Sequence, residues 1–484
     1  MKKYIIKLSF AFALILALFA CTSEFEEMNT SPNDLTMVPY STLITNAQHS
    51  ILTTYNPITS GVVSWSRYNV RDVYVHGDRY AGDGTGTNFN YYNGHLKNLD
   101  VAMKLAAAAG DDNTLAVAKV LTAYAYQNIT DWFGDIPYSE ALKADDPENP
   151  TIYAKYDSQQ SIYNDLIVQL KAANGMIDGN ANIGSSDIFF DGDMMMWKRF
   201  TNSLLLRIYM RMSIVDPETA KTGIEEIMAN PSTYPIIDSN DNAAFKYWLP
   251  DDATYRSPYW MNPVTAASQE NVTADFLVDF MQTRNDLARL AVYAEPAANS
   301  GSIVGLPLGT LGQNTPDLSI MGIAEFRSLD SPTRVMRYSE VLFIIAEAAL
   351  NGWNVGMTAQ EAYEAAITAS HDEYGIAVGS LLSDPLVDFN GGVDQRELIG
   401  EQKWCALYPD GNQGWAEIRR TNYPTFVSTT EPVESLFPGK GVIKRQPYPS
   451  TEAINNPDSF AAALSAQPGI IEEKFGTGVW WDVD

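Results

Sequence analysis

Apolar residues recur at helical spacing in several long segments of the chain. The clearest begins at Arg337 and is followed by Val341, Leu342, Ile345, Ala346 and Ala349, which share one helical face. The chain then turns through 351–354, and a second helix is predicted from Thr358, because Glu361 three residues later completes a capping box. This unit is about 35 residues long, close to the ~34-residue period of tetratricopeptide repeats.

Three further segments show the same pattern. One carries Trp197, Phe200, Leu204, Leu205, Ile208 and Met212, with a partner helix that starts at Asp216 and Pro217 and stops at Asn230-Pro231. Another runs through 117–125 and breaks at 131–137, and the last spans 394–424 with a turn at 409–411. The pattern therefore predicts a mostly α fold, in which about four tetratricopeptide-like helix pairs form a scaffold.

Long stretches between these helices lack helical periodicity. Residues 68–93 are rich in Tyr, Gly, Asp and Asn, while 234–263 and 294–332 are rich in Gly, Pro, Ser and Asn. Loops of this length in a compact domain are often functional. The tail from Pro424 is also mostly irregular, and its terminal Trp480-Trp481 predicts a docked chain end, since exposing both rings would leave a large apolar area in water.

The N-terminus has the features of an export signal. Met1-Lys2-Lys3 precedes an apolar run over 8–20, which is too short to span a bilayer, and Cys21 follows. We interpret 18–21 as a lipobox, which predicts a signal peptide over 1–20, a lipid anchor on Cys21 and one extended α domain over 21–484. An ordinary signal peptide followed by a coincidental cysteine is the alternative.

Composition narrows the possible partners and chemistry. A formal net charge of −27 argues against nucleic acid or an anionic membrane surface as a ligand. The four histidines have no metal-binding spacing, and the chain has no nucleophile elbow and no phosphate loop. We therefore predict no enzyme activity, no catalytic residues, no metal and no cofactor apart from the N-terminal lipid. Cys405 lies in an apolar helical context and is predicted to be a buried, inert thiol.

Aromatic residues interleaved with polar ones mark two loop clusters, and this mixture suits sugars, whose C–H faces lie on rings while hydroxyl groups bond to Asp, Asn and Arg. It also suits peptides. Alternatively, the rings pin long loops to the helical body. The candidate ligand-binding residues are Trp65, Arg67, Tyr68, Arg71, Asp72, Tyr74, Tyr80, Trp248, Tyr259 and Trp260.

A series of short motifs resembles the SusD/RagB family of nutrient-binding outer-membrane lipoproteins, in its SusD-like branch, across almost the whole mature chain. Their order and spacing carry the resemblance. They are the lipobox with its acidic follow-up, Asn29-Thr30-Ser31-Pro32-Asn33, Trp197-Lys198-Arg199-Phe200-Thr201-Asn202-Ser203-Leu204, Arg337-Tyr338-Ser339-Glu340-Val341-Leu342, Glu401-Gln402-Lys403-Trp404, Trp415-Ala416-Glu417-Ile418-Arg419-Arg420-Thr421, Tyr423-Pro424 and Pro447-Tyr448-Pro449.

The resemblance implies four tetratricopeptide-like helix pairs with a ligand face built from loops. It also implies a surface-exposed lipoprotein of the outer membrane that closes like a lid over a SusC-like TonB-dependent barrel. We interpret the 402–404 and 419–421 runs as buried contacts between helix pairs. The leading hypothesis is capture of oligosaccharides for delivery to the barrel. The alternatives are RagB-like capture of oligopeptides, a surface glycan hydrolase and a purely structural scaffold.

Overall fold

The computed structural model describes residues 38–56, 61–81, 89–249, 256–257, 259–260, 271–311, 314–467, 475 and 478–482. The predicted signal peptide and Cys21 lie outside these residues. The described part of the chain is mostly helical, which confirms the predicted fold class. Within it, no helix combines the length and apolar character needed to cross a membrane.

Helices occupy most of the described residues from Tyr40 to Ala466. Their bounds are α1 Tyr40–Tyr55, α2 Gly61–Trp65, α3 Lys97–Ala109, α4 Asp112–Phe133, α5 Gln159–Met176, α6 Met194–Arg211, α7 Pro217–Ala229, α8 Asp275–Thr283, α9 Leu287–Tyr293, α10 Ile323–Phe326, α11 Tyr338–Leu350, α12 Ala359–Asp372, α13 Gln395–Ala406, α14 Gly411–Thr421, α15 Thr425–Thr429, α16 Glu452–Asn455 and α17 Pro457–Ala466. A π-helical segment, Tyr92–Leu96, leads into α3.

The strands in the described part of the chain form small antiparallel pairs. They are β1 (Asn69–Arg71) with β5 (Asn271–Thr273), β2 (Ile136–Pro137) with β3 (Tyr156–Asp157), and β4 (Ala244–Lys246) with β6 (Thr333–Met336). In the first pair Val70 lies opposite Val272. The first and third pairs join segments that are distant in sequence, so β1 and β4 fix loops that sequence patterning treats as irregular.

The predicted helix pairs are present, with α6 against α7, α11 against α12 and α13 against α14, and α4 packs against both α3 and α5. Helix starts follow the predicted caps. At α12 the Thr358 hydroxyl oxygen accepts from the Glu361 N–H at 3.2 Å, and the Glu361 carboxylate accepts from the Thr358 N–H at 2.9 Å. At α7 the Asp216 carboxylate accepts from the Thr219 N–H, and Pro217 is the first helical residue. Local sequence therefore sets these boundaries.

Several helices are buried on nearly all sides, including their charged residues. Lys403 of α13 and Arg420 of α14 are both buried and both contact the Glu417 carboxylate, at 3.0 and 2.7 Å. Lys403 thus joins α13 to Glu417 of α14, and Arg420 also donates to Glu347 of α11, so the 402–404 and 419–421 runs make the predicted interior contacts between helices. Cys405 is fully buried, and burial raises the pKa of its thiol to about 12, as expected for an inert cysteine.

The predicted docking of the chain end is also confirmed. Trp481 is fully buried, and its indole N–H donates to Asp131 Oδ1 of α4 at 2.9 Å. The neighbouring Trp480 packs edge-on against Tyr163 of α5, with ring centroids 5.8 Å apart. Trp480 and Trp481 thus pack against α4 and α5.

Candidate functional site

Five of the ten candidate ligand-binding residues lie in the protein interior. Each exposes 3% or less of its surface, so none can reach a ligand from its position, and assigning them to the ligand face was wrong. They are Arg67, Tyr68, Asp72, Tyr80 and Trp248.

These side chains anchor loops to the helical body or to other loops and strands instead. The Tyr68 hydroxyl donates to the Trp404 carbonyl, and its ring packs against those of Trp404 and Tyr408. The Arg67 guanidinium donates to the Thr430 carbonyl. The indole N–H of Trp248 donates to Thr333 Oγ1 at 3.1 Å. The alternative interpretation, that rings pin the long loops, is therefore correct for these positions.

Trp65 and Tyr259 are half-buried and also make packing contacts. The Trp65 ring meets that of Trp415 at a centroid distance of 5.0 Å. The Tyr259 hydroxyl donates to the main-chain carbonyl of Asn56 at 2.5 Å. Both keep part of their surface accessible, as do Arg71 and Trp260, whose ring lies 4.7 Å from the Arg256 guanidinium carbon. Tyr74 is the most accessible of the ten, at 67% exposed.

Tyr74 belongs to a surface built by three loops, which we name the loop face: residues 72–81, 307–311 and 431–437. Arg79 connects all three, because its Nε donates to the Gly309 carbonyl at 2.8 Å and its guanidinium pairs with Glu434. Main-chain hydrogen bonds also join the loops. The Val433 N–H donates to the Leu308 carbonyl at 2.8 Å, and the Leu436 N–H donates to the Arg79 carbonyl at 3.2 Å. The loops therefore form one fixed unit.

The loop face exposes a group of large apolar side chains. Their exposed fractions range from 36% to 67%, and exposed apolar side chains grouped on joined loops make this surface a candidate binding site. Apart from Tyr74 they were not predicted, since sequence patterning does not reveal which distant loops meet. They are Val73, Tyr74, Leu311, Val433, Leu436 and Phe437.

Backbone strain is concentrated in and beside the loop face. Tyr74, Tyr80 and Glu434 of the loop face have φ angles of 55°, 68° and 54°, and Arg67 nearby has 59°. For a residue with a Cβ this left-handed conformation costs about 1–2 kcal/mol, and such strain tends to occur at functional sites. Gly309 has φ 87°, and a side chain there would collide with the Val433 carbonyl oxygen, so glycine permits the close approach of two loops.

Hydrogen bonds and ion pairs hold this surface together, and its net charge is acidic. The half-buried Glu431 carboxylate accepts N–H groups of Gly441 and Gly439, which lowers its pKa and ties the loop into a turn. Burial raises the pKa of Asp78, which accepts the Arg71 N–H at 2.6 Å. Arg79 pairs with Glu434, and Glu431 adds a further negative charge. Because acidic charge repels anions, the loop face suits an uncharged ligand better than an anionic one.

The described part of the chain contains no group of three or more His, Cys, Asp or Glu side chains placed to hold a metal ion.

Residues 32–449 match the SusD-like family described as starch-binding and associating with the outer membrane. The chain belongs to this family. The predicted resemblance is thus confirmed. Family membership also confirms the prediction that the chain is a binding protein and not an enzyme.

Solved structures support the SusD-like fold. A SusD homologue from Bacteroides uniformis is 24% identical, with a TM-score of 0.76 over 92% of this chain and 99% of the homologue. A chitin-binding SusD homologue from Flavobacterium johnsoniae is 24% identical, with a TM-score of 0.74 over 91% of this chain and 99% of the homologue. A SusD-like protein from Bacteroides thetaiotaomicron is 23% identical, with a TM-score of 0.76 over 92% and 99%. No curated protein matches the chain.

Family membership supports the coarser part of the functional prediction. This SusD-like protein is a glycan-binding protein of nutrient uptake, associated with the outer membrane.

Proposed function

We propose that the loop face captures oligosaccharides and that the protein delivers them to a SusC-like TonB-dependent barrel. In this proposal a lipid on Cys21 anchors the protein at the exterior of the outer membrane. The observation that carries the capture step is the exposed Tyr74 ring on the loop face, whose three loops are joined through Arg79, in a member of a family described as starch-binding.

The chemistry of the loop face suits a neutral sugar chain. A pyranose presents C–H groups that pack on aromatic rings, and Tyr74 and Phe437 each offer such a ring to solvent. The bonds among the three loops are already formed without ligand, so binding would order few side chains and lose little conformational entropy. Arg79 and Glu434 lie at the same surface and could bond to sugar hydroxyl groups.

Calorimetric titration of the full chain with starch-derived and chitin-derived oligosaccharides tests the capture step. Tyr74→Ala and Phe437→Ala should each weaken binding by about tenfold, from the lost ring contact. Tyr153→Ala is the matched control, since Tyr153 is 63% exposed but lies in the loop between β2 and β3. Wild-type affinity in both loop-face variants would exclude this surface as the capture site.

Oligopeptide capture is a second candidate function. The aliphatic side chains of Leu311, Val433 and Leu436 cover much of the loop face and would also suit apolar peptide side chains. Titration with a pool of oligopeptides separates the two proposals. Binding of peptides but of no oligosaccharide, with loss of binding in Tyr74→Ala, would establish the peptide alternative.

Delivery to a barrel is tested by purification through a C-terminal tag from outer membrane solubilised in mild detergent. Recovery of a TonB-dependent barrel in near-equal amount would support the proposed partnership, and recovery of the lipoprotein alone would contradict it. Cys21→Ser should move the protein from the membrane fraction to the soluble fraction if the cysteine carries the lipid.

A further inference from the structure

The helix-pair scaffold contains a concave site separate from the loop face. This cleft has a volume of about 350 Å³ and lies where α7, the α11–α12 turn, α13 and α14 meet. Its size is within the range of small-molecule sites. Its wall includes the partly accessible side chains of Ile214, Trp353 and Tyr423. Its floor includes the buried side chains of Lys403 and Arg420.

The floor of the cleft is a network of buried charges. Arg420 donates to both carboxylate oxygens of Glu347 at 2.6 Å and to Glu417 at 2.7 Å. Glu417 also pairs with Lys403 at 3.0 Å and with Arg211 at 3.5 Å. Three cations therefore share two carboxylates, which leaves one positive charge in excess beneath the cleft. Buried cations without full compensation favour a bound anion.

Two further features direct this excess charge toward a ligand. An ammonium can donate three hydrogen bonds, but in the described part of the chain Lys403 has Glu417 as its one ion-pair partner. Lys403 also forms part of the cleft lining, so its remaining donors can meet an incoming oxygen. The exposed Arg396 adds a third positive charge to the lining, beside Lys403 and Arg420, in a chain whose net charge is −27.

We propose that this cleft binds the carboxylate-bearing ring of an acidic sugar, a uronic-acid unit. The carboxylate would bond to Lys403 with support from Arg396, and the sugar ring would pack against Trp353 or Tyr423. A single pyranose fits within the cleft volume. Gly400 lies in the cleft lining, where a side chain would meet the Tyr423 Cβ at 2.8 Å, so glycine lets this ring pack closely against α13. The assignment rests on the glycan-binding function proposed above.

Calorimetric titration of the detergent-solubilised full chain with D-galacturonate, D-galactose and N-acetylalanine tests the assignment. Galacturonate should bind at one site, and galactose and N-acetylalanine at least about tenfold more weakly, since each lacks the carboxylate or the sugar ring. Lys403→Met should abolish galacturonate binding. Trp353→Ala and Arg396→Gln change accessible positions of the lining, and each should weaken binding severalfold without unfolding the scaffold.

Two controls test whether the effects are specific to the cleft. Lys119→Met removes a half-buried ammonium that bonds to Gln169 on the α4–α5 pair, and it should leave galacturonate affinity unchanged. Tyr153→Ala removes an exposed ring from the loop between β2 and β3, and it should likewise leave galacturonate affinity unchanged. Absence of galacturonate binding, equal binding of N-acetylalanine, or unchanged affinity in both Trp353→Ala and Arg396→Gln would overturn the cleft assignment. Neutral oligosaccharide binding in the same preparation would still report on the proposed function.

Discussion

The buried ion pair between Arg207 of α6 and Glu340 of α11 offers a quantitative test of how the helix pairs are held together. Arg207 Nε and Nη2 donate to the two Glu340 oxygens at 2.6 and 2.7 Å, and both side chains are at least 97% buried. Nη2 also donates to the Val335 carbonyl at 3.0 Å, while Nη1 has no hydrogen-bond partner. The pair thus joins two helix pairs through a single two-pronged contact.

Removal of either partner leaves an uncompensated charge in the interior. Glu340→Leu or Arg207→Met alone should therefore lower the free energy of unfolding by about 3–5 kcal/mol. The double variant places two apolar side chains in the same space and leaves neither charge behind. It should lose far less than the sum of the single losses, about 0–2 kcal/mol, because replacing a buried pair by apolar residues is often close to neutral.

Urea denaturation of the wild type, the two single variants and the double variant measures this coupling. With a slope of about 3 kcal/mol per molar urea, each single change should lower the midpoint by roughly 1–1.7 M. The control is Lys104→Met, which removes an exposed ion pair with Asp100 and should cost less than about 1 kcal/mol. Single losses that simply add in the double variant would refute the reasoning.

Three more predictions concern other elements. Burial lowers the pKa of His95 from 6.5 to about 4. The contribution of the neutral imidazole to the free energy of unfolding is therefore fully present above pH 6.5 and is lost as the pH falls toward 4. His95→Gln, which can still bond to the Tyr55 hydroxyl, should remove about 3 kcal/mol of the difference in unfolding free energy between pH 7 and pH 4. Thr358→Ala should cost about 1 kcal/mol by urea titration, and Thr358→Ser should not. Trp481→Ala should lower the free energy of unfolding by about 3–5 kcal/mol in the same assay. Trp481→Phe loses mainly the hydrogen bond to Asp131 and should cost about 1 kcal/mol. Equal losses in the two variants would show that packing does not dominate.

Much of the helical scaffold is predictable because its signals are local. Asp216 and Pro217 at the start of α7, and Thr358 with Glu361 at the start of α12, set helix boundaries through neighbouring backbone groups. The burial of Lys403 is different, since a lysine in isolation indicates a surface position. Its interior position depends on Glu417 from another helix, and here the family motif supplied the information that periodicity lacked.

The candidate site was predictable only in part, because aromatic composition does not distinguish a ring that binds ligand from one that anchors a loop. Tyr68 and Tyr74 are six residues apart in the same tyrosine-rich segment, yet one is fully buried and the other is 67% exposed. The difference arises from Trp404 and Tyr408, which enclose Tyr68 from a distant part of the chain. Leu436 was missed for the converse reason, since a leucine close to proline and glycine gives no local sign that it meets Arg79 from another loop.

In the loop face, the contacts that join the three loops are distinct from the side chains that the proposed function assigns to ligand capture. The frame depends on main-chain bonds and on the Arg79 side chain, whereas Tyr74, Leu311 and Leu436 direct more than half of their surface to solvent. Under the proposed function, exchanging these outward side chains would change ligand preference with little loss of stability. The same frame and helix pairs would then serve for a different nutrient.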